Sequence, residues 1–274
     1  MAQPLAPPKP GSLRLRLVSA AVLLPAAILV VWLGSWWLAA FLAVLSGAMC
    51  WEWSNLCNPS RIDVWSIMLV AGGAAPLVFV AFGFEGMLWL LAAALVALVA
   101  LALAGRLEYP AVCIPGLPYI AVGICCIVWL RADPEHGLLT VVWAATAIVA
   151  TDVGAYFVGR NVGGPKLAPR VSPNKTWSGL FGGMIFAGLT GLIIGVWVGA
   201  AWIAMAIGGM AIALISQAGD LIESALKRKF GAKDASQLIP GHGGFLDRFD
   251  GYLTAMPAAA LMSAFAGGSP VTWQ

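Results

Sequence analysis

The chain is a succession of apolar runs cut by short polar breaks. Runs of eighteen or more apolar residues mark helices that cross a bilayer. The pattern predicts nine spans, at about 13–33, 36–56, 63–82, 86–105, 112–130, 138–158, 178–198, 201–226 and 252–268. The expected fold is therefore all-α, a polytopic membrane protein. Residues 1–12 are Pro-rich and are expected to be disordered. Arg14, Arg16 and the apolar run behind them imitate a signal peptide. That run continues to Leu33 without a small-residue cleavage site, so it is read as a retained first span.

Composition agrees. The 274 residues are 61% apolar and 10% charged, with mean hydropathy +0.91. A soluble domain is about half apolar and about a quarter charged. Thirty-two glycines suit close helix packing in lipid. Five cysteines form no CxxC pair and no Cys/His cluster, so neither zinc nor a structural disulfide is expected.

Charge fixes the expected orientation. With nine spans and a cytoplasmic N-terminus, fourteen of the fifteen Lys and Arg residues fall on the cytoplasmic side, and only Arg131 falls outside. This is the positive-inside bias. It places both long polar connections, 159–177 and 227–251, on the cytoplasmic face. Glu52 and Glu85 are expected at interfaces beside Trp residues, and His136 in a solvated outer loop. Arg131 has no role that can be read from sequence.

Polar chemistry concentrates in Ser216–Tyr252, which holds five of the twelve acids and five of the fifteen bases. Asp220, Glu223 and Lys227 share a helix face, expected to line a cavity open to the cytoplasm. Glycines 241, 243 and 244 allow backbone N–H groups to approach a ligand. Asp247 and Asp250, three apart at the start of the last span, are expected to face one way. Asp152 lies inside a span, where an acid marks function more often than not. The alternative for it is a structural pair with Arg160 or with a lysine. Lys166, Arg170 and Lys175 make the loop 163–179 basic, and Ser172 is placed to cap the helix that follows, which would create an anion site. The plainer alternative is a positive-inside loop against anionic lipid. Acids for a divalent cation, bases for phosphate and glycines for close approach suit a phosphoryl or nucleotidyl transferase. A self-satisfied salt-bridge network is the other reading.

SALKRKFGAKDASQLIPGHGGFLDRFDG, TDVGAYFVGR and SPNKTWSG together resemble the signature of the phosphatidate cytidylyltransferases, the CDP-diacylglycerol synthases. One position departs, since Ser178 stands where that family usually has Glu. The resemblance implies CTP plus phosphatidic acid giving CDP-diacylglycerol and pyrophosphate, with Mg2+ and, as an open addition, a monovalent cation. It implies Asp220, Asp247 and Asp250 as metal ligands, with Lys227 and Arg248 beside them in catalysis. Substrate contacts would come from Ser172, Asn174, Lys175, Thr176, Ser224, Arg228, Lys233, Asp234, His242, Gly243 and Gly244, with Asp152 as an outer ligand or orienting group. His242 could instead order its loop.

The division implied is a transmembrane scaffold over 13–131 and a catalytic domain over 132–274, in a bacterial inner membrane. A homodimer is expected and no nucleic-acid partner. The rivals are a CTP-dependent polyprenol kinase, a non-catalytic relative hinted at by Ser178, and an ion-coupled transporter. Charges crowded on one face, with no paired broken spans, speak against the transporter.

Overall fold

The computed structural model describes residues 12–58, 62–241 and 243–273. The expected disorder at the N-terminus, and His242, lie outside the described residues. Eight α-helices follow in order: α1 Ser12–Leu33, α2 Ser35–Cys57, α3 Ile62–Leu103, α4 Pro110–Arg131, α5 Gly137–Val162, α6 Trp177–Val198, α7 Trp202–Lys229 and α8 Leu246–Phe265. Among the described residues, six of them, α2 to α7, are long and apolar enough to cross a membrane. The protein is an all-α polytopic membrane protein.

α3 is broken at Gly83, whose φ of 69° and ψ of −162° no helix contains. A methyl group built on Gly86 would stand 3.3 Å from the Val78 side chain. Eight residues of unbroken helix would separate those positions by about 12 Å. The chain therefore folds back at Gly83, and its two arms coincide with the predicted spans at 63–82 and 86–105.

Small residues set the helix spacing. A Cβ on Gly182 would strike Val158, one on Gly183 the Thr151 carbonyl, and one on Gly179 the Ala155 carbonyl, so α6 lies directly on α5. A Cβ on Gly191 or Gly209 would likewise meet backbone across the α6–α7 contact. α4 packs on α2, α3 and α8, which joins the N-terminal helices to the polar C-terminal ones.

The polar breaks differ from expectation in two places. The 163–176 connection contains a small antiparallel hairpin, β1 Lys166–Ala168 and β2 Ser172–Thr176. Ser172 does not cap α6, because it is committed to β2. Thr176 is the cap, its hydroxyl accepting the Gly179 N–H at 3.1 Å. At the other end of the bundle, Arg131 donates to the Val31 carbonyl at 2.7 Å and to the Trp32 carbonyl at 2.9 Å. These are final-turn carbonyls of α1 that lack helical partners. The base without a role in the sequence thus closes a helix end.

Candidate active site

α7 and α8 meet through residues too small to hold them apart. A Cβ on Gly219 would overlap the Thr254 hydroxyl at 2.2 Å, and one on Gly251 the Ser216 hydroxyl at 2.4 Å. Asp220 and Asp250 are the chain neighbours of these two glycines. Asp152 of α5 joins them, held by a 3.3 Å hydrogen bond from Gln217 of α7. The three carboxylates lie within electrostatic reach of one another. Asp152 is accessible although it sits inside a long apolar helix. Arg160 does not pair with it and donates instead to the Tyr156 hydroxyl at 2.7 Å.

Cations flank this group. Lys175 of β2 forms an ion pair with Asp220. Ser224 donates to the other Asp220 oxygen at 3.2 Å. Lys175 and Arg248 are both within electrostatic reach of Asp152. Arg228 ties the hairpin to the end of α7, donating to the Val171 carbonyl at 3.4 Å and to the Ala232 carbonyl at 3.0 Å. Asn174, Lys233 and Asp234 are exposed near these elements.

The expected trio of Asp220, Asp247 and Asp250 does not converge. No three acids, histidines or cysteines among the described residues close into a metal cage. Asp247 has turned to its own loop: one oxygen accepts the Lys227 ammonium at 2.6 Å, and the carboxylate also takes the N–H groups of Ala235 at 2.9 Å and Gly244 at 2.8 Å. Lys227 completes its contacts on Glu223 at 3.0 Å. Asp247 and Asp250, three residues apart, therefore do different work. Asp247 fixes the loop against α7, while Asp250, which accepts the Gly251 N–H at 2.7 Å, stays with Asp152 and Asp220.

Sequence reasoning placed Glu52 at an interface, but none of its surface is exposed. From α2 it reaches the start of α8 and accepts the N–H groups of Phe245 at 3.0 Å and Leu246 at 2.7 Å, and the Ser236 hydroxyl at 2.5 Å. A carboxylate suits a helix N-terminus, whose first N–H groups lack partners. The sequence signal was an acid between two tryptophans near a helix end, which reads as interfacial. Nothing local pointed to a partner almost two hundred residues away.

Glu52 also explains Gly244. A Cβ there would stand 2.6 Å from a Glu52 oxygen that two hydrogen bonds, from the Ser236 hydroxyl and the Phe245 N–H, hold in place. Gly244→Ala is expected to destabilise the protein by about 2 kcal/mol through this overlap. Thermal unfolding in detergent checks it, and an unchanged midpoint would show that Glu52 yields.

Ser178 has a task of its own. Its hydroxyl donates to the Gly163 carbonyl and meets the Thr176 hydroxyl at 3.0 Å. It thereby fastens the end of α5 to the base of the hairpin that carries Lys175.

Mg2+ is usually held by one or two carboxylates together with substrate phosphates. Asp220 and Asp250, brought together by Gly219 and Gly251, fit a cation that arrives with a nucleotide, and Asp152 adds negative charge beside them. Lys175 and Arg248 fit phosphate. The group as a whole is equipped for phosphate-transfer chemistry at one end of the bundle.

Residues 14–266 match the sequence model of the Cytidylyltransferase family. Proteins of Brucella suis and Brucella melitensis, each called phosphatidate cytidylyltransferase, are 38% identical over 265 residues, covering 93% of this chain and 93% of their own length. A Bacillus subtilis protein of the same name is 39% identical over 145 residues, 52% of this chain and 54% of its own.

Proposed function

The chain belongs to the cytidylyltransferase family, and on that premise we propose that it transfers the cytidylyl group of CTP to phosphatidic acid, giving CDP-diacylglycerol and pyrophosphate. The observation that carries this reading is the group formed by Asp152, Asp220 and Asp250 with Lys175 and Arg248 on its flanks. Acids for a nucleotide-borne cation and bases for two phosphates stand within one polar cluster.

The phosphate of phosphatidic acid is anionic near neutral pH and needs no strong base to attack. Its oxygen forms a bond to the α-phosphorus of CTP while the bond from that phosphorus to the β-phosphate bridge breaks. The electron pair leaves with pyrophosphate. Catalysis then rests on position and on offsetting charge as it moves. Lys175, held beside Asp220, faces the nucleotide phosphates. Arg248 faces the lipid phosphate. Lys227, Asp247 and Glu52 keep the loop 230–245 and the start of α8 in place. Mg2+, when bound at Asp220 and Asp250, would neutralise the phosphates and favour departure of pyrophosphate.

We further assign nine membrane spans to the chain, with a cytoplasmic N-terminus and the site on the cytoplasmic face of a bacterial inner membrane, in a homodimer. The positive-inside distribution supports the sidedness.

The purified protein in detergent, given α-phosphorus-labelled CTP, phosphatidic acid and Mg2+, is expected to move label into lipid. EDTA is expected to stop it. Label that leaves as CDP when a polyprenol is supplied, with none in lipid, would replace this reading with a kinase.

A further inference from the structure

An apolar groove of about 240 Å³ lies between α1, α2 and the segment that enters α8. Leu24 and Ala27 of α1, Phe41 and Leu45 of α2 and Phe249 of α8 line it, and among the described residues the only charged one in its lining is Arg248. Resting on the transferase reading, we propose that this groove holds one acyl chain of the lipid substrate, with the lipid phosphate on Arg248.

Three observations meet here. The first is direction. Phe245 is bonded to Glu52 of α2. From Glu52, Leu45 lies seven residues and Phe41 eleven residues nearer the far end of α2, about 10 and 16 Å at the helical rise. The groove thus runs from the polar loop into the depth of the bilayer, as an acyl chain does. The second is access. Leu24 is 62% exposed, so the groove is open beside α1, and a chain enters without leaving apolar surroundings. The third is complementarity. An apolar channel with one guanidinium at its polar end matches an anionic amphiphile, and that guanidinium is within electrostatic reach of Asp152. Pockets for whole small molecules span about 300 Å³ or more. This groove is smaller, which suits a length of chain and excludes a nucleotide. The lipid therefore approaches from the Arg248 side and the nucleotide from the Lys175 side, with the carboxylates between them.

The test compares label transfer from CTP to dioleoyl and to dihexanoyl phosphatidic acid. In Ala27→Trp the indole fills the groove. The ratio of kcat/KM for the long-chain over the short-chain lipid is expected to fall about tenfold, equivalent to roughly two methylenes losing their burial. Val196→Trp, on the lipid-facing side of α6, is expected to keep the wild-type ratio. Should Ala27→Trp fail to fold, Ala27→Leu gives the same comparison with a smaller drop. Independently of turnover, phosphatidic acid carrying a photoactivatable mid-chain diazirine is expected to label α1 or α2 peptides of the wild-type protein. An unchanged ratio, or labelling confined to other helices, would overturn the groove. No transfer to either lipid by the wild-type protein would instead overturn the transferase reading, while the diazirine still reports on the groove.

Discussion

Asp250→Asn is expected to lower cytidylyl transfer by about a thousandfold, near 4 kcal/mol of transition-state stabilisation, without lowering the unfolding temperature. The two halves of this expectation have one cause. Asp250 stands within electrostatic reach of both Asp220 and Asp152. Three carboxylates so placed repel one another unless cations stand among them. Removing one charge relieves that repulsion, so the fold is held as well as before or better. The same change takes from the nucleotide-borne cation one of its two proposed ligands. Asp247→Asn makes the contrast, because its carboxylate holds Lys227 and the N–H groups of Ala235 and Gly244. That variant is expected to lose stability and activity together. Initial rates and thermal unfolding on both proteins decide the matter. Near-normal transfer by Asp250→Asn would remove Asp250 from the metal site. Loss of stability there would give it the structural role assigned to Asp247.

The helices were legible because apolar length is a one-dimensional signal. The bounds of α4, α5 and α6 lie close to the runs that predicted them, and even the reversal at Gly83 sits where the runs 63–82 and 86–105 part. The hairpin was not legible. Its strands are three and five residues long, too short for an alternating pattern, and Pro173 inside β2 reads as a turn. The motif residues were found by type, and in the structure Asp152 lies within electrostatic reach of Asp220, Lys175 and Arg248. Their division of labour was hidden. Spacing put Asp247 and Asp250 on one side of a helix. It said nothing of the backbone N–H groups in the preceding loop, which capture Asp247 and leave Asp250 to the carboxylate group. Glu52 was the largest omission, since its meaning depends on a loop that begins about 180 residues later in the chain.

Glu52→Ala is expected to destabilise the protein by about 3 kcal/mol or more and to cut transfer at least tenfold. The side chain is fully buried, and it takes two backbone N–H groups at the start of α8 and the Ser236 hydroxyl. Truncation leaves these donors buried without a partner, at about 1–3 kcal/mol for each such group. It also leaves a cavity beside Gly244, whose missing side chain had made room for the carboxylate. The loop from Ser236 to Leu246 then loses its tie to α2, and with it the angle at which α8 carries Arg248 and Asp250 toward the substrates. Glu52→Gln separates positioning from bulk. Its amide oxygen can accept from Phe245 or Leu246, but its NH2 group presents a donor where Glu52 accepts. An intermediate unfolding temperature and an intermediate kcat are therefore expected, with KM for CTP moving less than kcat. If Glu52→Gln were as stable as wild type yet inactive, Glu52 would have to act on substrate directly. If both variants kept full activity, the start of α8 would be held by the Asp247 contacts alone, and α2 would serve the site only as its wall.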